Sequence, residues 1–139
     1  MWNVREVGPD KLETLLEVAR TKVYYRSHLL ERQELQELTE GMLSYLVGAD
    51  PSVRVLLADY DGEIGGYFLL KTGEVESITR EPQTLIADYG LLDPDCFEAL
   101  LARAEQIGDE VGDRYLVVHT LYLSEPEEWF CQAGFTAEI

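Results

Sequence analysis

The sequence predicts an α/β domain built on one mixed β-sheet with helices on its faces, its elements in the order β-αα-ββ-β-α-β-α-β. Three observations carry that expectation. Segments with apolar residues at three- and four-residue steps alternate along the chain with short runs rich in β-branched and aromatic residues. Asp61-Gly62 stands between two apolar runs, Val53 to Tyr60 and Glu63 to Lys71, where both residues can take positive φ in a two-residue hairpin turn. The length of 139 residues suits a single domain, 1–139, around one core, and a hydrophobic fraction of 46% sets the chain apart from disordered ones.

Each element has its own signal. Trp2, Val4 and Val7 read as a short opening strand stopped by Gly8-Pro9. Asp10 with Glu13 forms a capping-box-like start to a first helix reaching about Tyr25, with Leu12, Leu15, Leu16, Ala19 and Val23 on one face. A second helix, from near Ser27 or Leu30, turns Leu35, Leu38, Met42, Tyr45 and Leu46 inward and ends at Gly48 and Asp50-Pro51. After the hairpin, the polar stretch Thr72 to Pro82 reads as a loop and Thr84 to Leu92 as an interior strand. Asp93 caps a helix that Pro94 opens and that runs to about Gly108, burying Phe97, Leu100, Leu101, Ala104 and Ile107. Tyr115 to Leu123 is a strand, Glu125 to Gln132 a short helix stopped by Gly134, and Phe135 to Ile139 a final strand.

Charge narrows the partners. Acidic residues number 27 against 11 basic ones, a formal charge of −16, and such a surface repels polyphosphate backbones and anionic head groups. Nucleic acid and membrane are therefore not expected as partners, and no stretch approaches the roughly 20 apolar residues that span a bilayer. Cys96 and Cys131 have no metal-ligand spacing, so no metal is expected. They suit a reducing cytoplasm and read as small buried hydrophobes.

Three local stretches, in this order, resemble the GNAT (Gcn5-related N-acetyltransferase) superfamily. Leu56-Leu57-Ala58-Asp59-Tyr60-Asp61-Gly62-Glu63-Ile64-Gly65-Gly66-Tyr67 is similar to the family's second and third strands. Leu100-Leu101 followed by Arg114-Tyr115-Leu116-Val117-Val118-His119-Thr120 resembles its third helix and fifth strand, and Trp129-Phe130-Cys131-Gln132-Ala133-Gly134-Phe135 its last helix and Gly-Phe ending. The resemblance implies a mostly antiparallel sheet, acetyl-CoA as cofactor and an amine, small-molecule or protein, as acceptor. In the family, a loop of the form Gln/Arg-x-x-Gly-x-Gly/Ala and the helix after it hold the cofactor's pyrophosphate on free backbone N–H groups. Aligned on Leu100-Leu101, the three signature positions fall here on Leu92, Asp95 and Phe97; aligned on Pro94, the loop is shortened by a deletion, and on either alignment the motif is degenerate.

By position, the resemblance assigns Leu91, Leu92, Asp95 and Cys96 to the cofactor. It assigns Asp88 and His119 to general-base duty where the fourth and fifth strands splay, and Tyr25, His28 and Tyr89 to the substrate. Each of these also reads as an ordinary residue of a strand face, helix start or helix end. The family's frequent acid tyrosine, four residues before the Gly of Gly-Phe, is Phe130 here, which has no proton to give. Two functions follow. One is a divergent acyl-CoA-dependent N-acetyltransferase; the other is a non-catalytic module that has lost coenzyme A and binds a protein or ligand. Homo-oligomer or partner protein is left open.

Overall fold

The computed structural model of the chain describes residues 1–21, 32–76, 78–120 and 125–136, with backbone only for 32–36, 38 and 39. Five strands form one sheet in chain order: β1 (Asn3–Val7), β2 (Val53–Tyr60), β3 (Glu63–Val75), β4 (Pro82–Leu91) and β5 (Tyr115–Val118). Each neighbouring pair among the first four is antiparallel and β4 pairs with β5 in parallel, the mixed sheet expected. The helices are α1 (Leu12–Thr21), α2 (Arg32–Leu46), α3 (Phe97–Val111) and α4 (Glu125–Gln132). Asp61 and Gly62 take φ of 50° and 87°, the left-handed pair that a tight hairpin turn requires.

The period-2 alternation of the strands divides the core in two. On one face Leu56, Phe68, Leu70, Ile86, Tyr89 and Leu91 pack with Phe97, Leu100, Ala104, Ile107 and Phe130 from α3 and α4. On the other Val55, Leu57, Tyr67 and Leu69 pack with Leu15, Leu16, Val18, Ala19, Leu43 and Val47. Each such large apolar side chain stabilises the fold by roughly 1.5–3 kcal/mol relative to leaving it in water.

Three register shifts interrupt the ladders, one of them setting Thr72 and Gly73 of β3 against Thr84 of β4. Gly65 is an extra residue of β3 between the pairs Ala58↔Gly66 and Asp59↔Ile64, and Ala87 is an extra residue of β4 between Leu70↔Ile86 and Leu69↔Asp88. At the far end, Asp113 Oδ2 accepts from the Thr84 hydroxyl at 2.6 Å and from the Gly73 N–H at 2.9 Å, tying β3, β4 and the α3–β5 connection together.

Several sequence expectations are corrected. The capping box does not form: Pro9–Lys11 is a turn of 3-10 helix whose cap, Gly8, has no side chain to offer. Tyr45 is 76% exposed while Leu43 and Val47 are buried, because the stripe facing α1 follows the four-residue step from 43 to 47 and places 45 on the opposite side. The stretch from Thr72 is not loop throughout. β3 continues to Val75, since Glu74↔Gln83 and Val75↔Pro82 still pair and polar side chains cost little at a solvated strand end. Helix α3 reaches Val111 and follows a 3-10 turn at Pro94–Cys96. Strand β5 ends at Val118, His119 and Thr120 being outside any strand while 121–123 lie outside the described residues, and Cys131 is exposed. The chain from Val23 to Leu30, where the first two helices were expected to end and begin, lies outside the described residues. So do 137–139 of the expected last strand, and Phe135 and Thr136 are not in a strand.

Candidate functional site at the divergence of β4 and β5

Parallel pairing of β4 and β5 runs from Gln83↔Tyr115 to Ile86↔Val118 and stops there, whereas β4 continues to Leu91. The stop coincides with the Ala87 bulge, and a bulge bends its strand locally. It is at this end of the pairing that the sequence resemblance expects the two strands to splay. Just beyond it Asp88 is completely buried, opposite Leu69 and on the α1/α2 face, where the Tyr67 hydroxyl donates a hydrogen bond to Asp88 Oδ2. A carboxylate can be kept inside a protein only with such partners. Tyr67 escaped the sequence reading because it sits inside an apolar run; its hydroxyl among aliphatic residues was the available signal.

The other candidates disperse. His119 lies one residue past β5 and is exposed. Tyr89 points to the α3 face, where its ring centroid is 5.5 Å from that of Phe130 and 6.5 Å from that of Phe68. Phe130, where an acid tyrosine was sought, is 2% exposed and edge-on to Phe97 at 5.0 Å and Phe135 at 5.1 Å. Tyr25 and His28 fall outside the described residues.

The four cofactor candidates bracket the start of α3. Leu91 and Cys96 are core residues, while Leu92 and Asp95 are exposed. The backbone donors along this run are spent within the chain. The Gly65 carbonyl accepts from the N–H groups of Leu92 at 2.7 Å and Asp93 at 3.0 Å. Asp93 Oδ1 accepts from the Asp95 N–H at 2.9 Å, its carbonyl accepts from the Cys96 N–H at 3.2 Å, and the Pro94 carbonyl accepts from the Phe97 N–H. Proline has no N–H. A pyrophosphate needs free donors and an uncompensated positive helix end, and finds here instead the carboxylates of Asp93 and Asp95. The residues present do not fit the phosphates of coenzyme A. Burial first, then the nearby Asp93 and Asp95, push the Cys96 thiol up to about 12, so it is no nucleophile.

Order, register and two helix layers together define the GNAT acetyltransferase fold. A GCN5-related N-acetyltransferase from Ralstonia eutropha JMP134 superposes with a TM-score of 0.72 at 18% identity, over 99% of this chain and 94% of that one. An aminoglycoside N-acetyltransferase in complex with CoA gives 0.69 at 15% identity, over 100% of this chain and 90% of that one. A transcriptional regulator from Bacillus halodurans C-125 also gives 0.69 at 15%, over 100% and 95%. No protein-family model and no curated protein matches the sequence. Among the described residues, no helix is long and apolar enough to cross a membrane.

Proposed function

We propose that this chain uses the acetyltransferase scaffold to bind a ligand or partner protein in the cytoplasm, and no longer transfers an acyl group from coenzyme A. The observation that carries this reading is the closed start of α3, where the Gly65 carbonyl and the Asp93 carboxylate occupy the backbone donors that would otherwise face a phosphate. Phe130 in the aromatic core supports it from the opposite direction, since no hydroxyl is present there to act as an acid.

Thermal unfolding with acetyl-CoA tests it. A ligand at ~100 times its dissociation constant adds about 2.7 kcal/mol of apparent stability, and the unmodified protein is expected to show none of that shift at millimolar acetyl-CoA. Asp95→Gly removes one repelling carboxylate yet leaves the Gly65 carbonyl in place, so at most a small shift is expected from it. A shift of several degrees for the unmodified protein would sink the reading. It would favour the second one, a divergent N-acetyltransferase for an amine acceptor with its base at Asp88, which draws support from the buried Tyr67–Asp88 pair at the splay.

A further inference from the structure

Beside the α3 start lies a cleft of about 350 Å³ lined by Trp2, Tyr60, Glu63, Ile64, Leu92, Asp93 and Asp95. We propose that this cleft binds a small N-alkylated ammonium ion. The proposal rests on the binding-scaffold reading and names the ligand class for it.

The walls argue first. The Trp2 and Tyr60 rings meet at 72° with centroids 5.6 Å apart, forming a corner, and Ile64 and Leu92 supply aliphatic surface beside it. The corner exists because of a missing side chain: a Cβ at Gly65 would stand 2.4 Å and 2.6 Å from atoms of the Trp2 ring. The indole therefore seats on bare backbone at the β3 bulge, and the same Gly65 carbonyl holds Leu92 and Asp93 in the opposite wall. One glycine thus organises both sides.

The charge of the occupant follows from the rest of the lining. Three of the seven lining residues are carboxylates and none is basic, so an anion is repelled and a neutral apolar ligand leaves the acidic groups unused. Asp93 commits one oxygen to the Asp95 N–H and keeps the other. Among the described residues no group of acidic, His or Cys side chains is arranged to hold a metal ion. A primary ammonium would have to shed tightly held water against the rings. An alkylated ammonium spreads its charge over methyl groups that pack on aromatic faces and are attracted by the ring quadrupoles. The overall charge of −16 draws cations weakly to the whole surface, and the aromatic corner is what distinguishes this place from the remainder.

The test uses the full chain, whose two tryptophans, Trp2 and Trp129, give two indole N–H signals in a nitrogen-15 NMR spectrum. Choline is titrated at about 150 mM salt, where exposed charges are screened beyond ~8 Å, and its uncharged isostere 3,3-dimethylbutan-1-ol is titrated in parallel. The expected result is a saturable shift of the Trp2 signal with Trp129 unmoved, and an isostere at least ~10-fold weaker. Asp95→Asn and Glu63→Gln are each expected to weaken choline roughly 2- to 5-fold while the spectrum stays folded. Trp2→Leu, followed by calorimetry, is expected to lose it.

Equal binding of choline and the isostere, parallel movement of both indoles, no saturation at Trp2, or indifference to both charge variants would each overturn the proposal. Acetyl-CoA is titrated into the same sample as a separate gauge. Choline binding alongside tight acetyl-CoA binding would keep the cleft and remove the scaffold reading; neither ligand binding would do the reverse.

Discussion

The two faces of the sheet are filled with different chemistry. On the α3/α4 face Phe68, Tyr89, Phe97, Phe130 and Phe135 stack edge-on or tilted, with neighbouring centroids from 5.0 to 6.5 Å apart. Among the described residues the α1/α2 face is mainly aliphatic and encloses the polar pair of Tyr67 and Asp88. An aromatic cluster of that kind is a packing device, worth about 0.5–1.5 kcal/mol per ring pair beyond area, and it offers no group for proton transfer at Phe130. A buried carboxylate is costly unless it is satisfied, and so marks a place where polarity has been retained. The faces differ, then, in what their residues are for: one was closed into core, the other kept an acid.

Three measurements break or sharpen that contrast. Phe130→Ala removes the ring at the centre of the aromatic cluster, and chemical denaturation is expected to show a loss of about 3–5 kcal/mol; a loss near 1 kcal/mol would mean that the cluster can collapse and is not the tight packing described. Tyr67→Phe deletes one hydroxyl from the other face, leaving a buried carboxylate short of a donor, with an expected loss of about 1.5–3 kcal/mol. Were the substitution neutral, Asp88 would be satisfied without Tyr67 and the polar pair would dissolve as a unit.

The smallest effect is at the polar rim of the α3 side. The Arg54 guanidinium donates to Glu6 at 2.6 and 2.8 Å, and this hydrogen bonding, helped by its charge, holds the Glu6 carboxyl below the ordinary glutamate value and raises Arg54. A carboxyl depressed in the folded state contributes stability above its unfolded-state value of 4.5, and that contribution is lost as pH falls through the lower folded value. Because the pair is partly exposed, solvent screening limits it to less than about 1 kcal/mol. The difference in stability between the unmodified protein and Glu6→Gln should shrink as pH is lowered from 7 toward 3; a constant difference would show that the ion pair contributes nothing.

Much of the architecture was legible because it is written in local patterns. The Asp61-Gly62 turn, the Asp93 cap and the apolar face of α3 each depend on residues within one or two turns of chain. Non-local pairing hid the rest. Whether Glu74 and Val75 are strand or loop is decided by Gln83 and Pro82 across the sheet, and whether Tyr45 or Leu43 faces inward by where α1 lies. The parallel β4–β5 pair was legible through resemblance to a family, whereas the Tyr67–Asp88 bond depends on the Ala87 bulge, which turns two successive residues of β4 toward one side. The aromatic cleft was invisible for the same reason: Trp2 and Gly65 are far apart in sequence and meet through a second bulge.

The Asp113 clamp has a consequence for how such a chain can change. It secures β3, β4 and the entry to β5 at the end of the sheet opposite the α3 start, through two bonds that owe nothing to any ligand. The clamp and the candidate site thereby lie at opposite ends of the same strands. A lineage can rewrite the ligand end, shortening a loop or reversing its charge, while the anchored end goes on specifying the sheet. A change at the ligand end then need not entail loss of the fold, because the contacts that specify the sheet lie elsewhere.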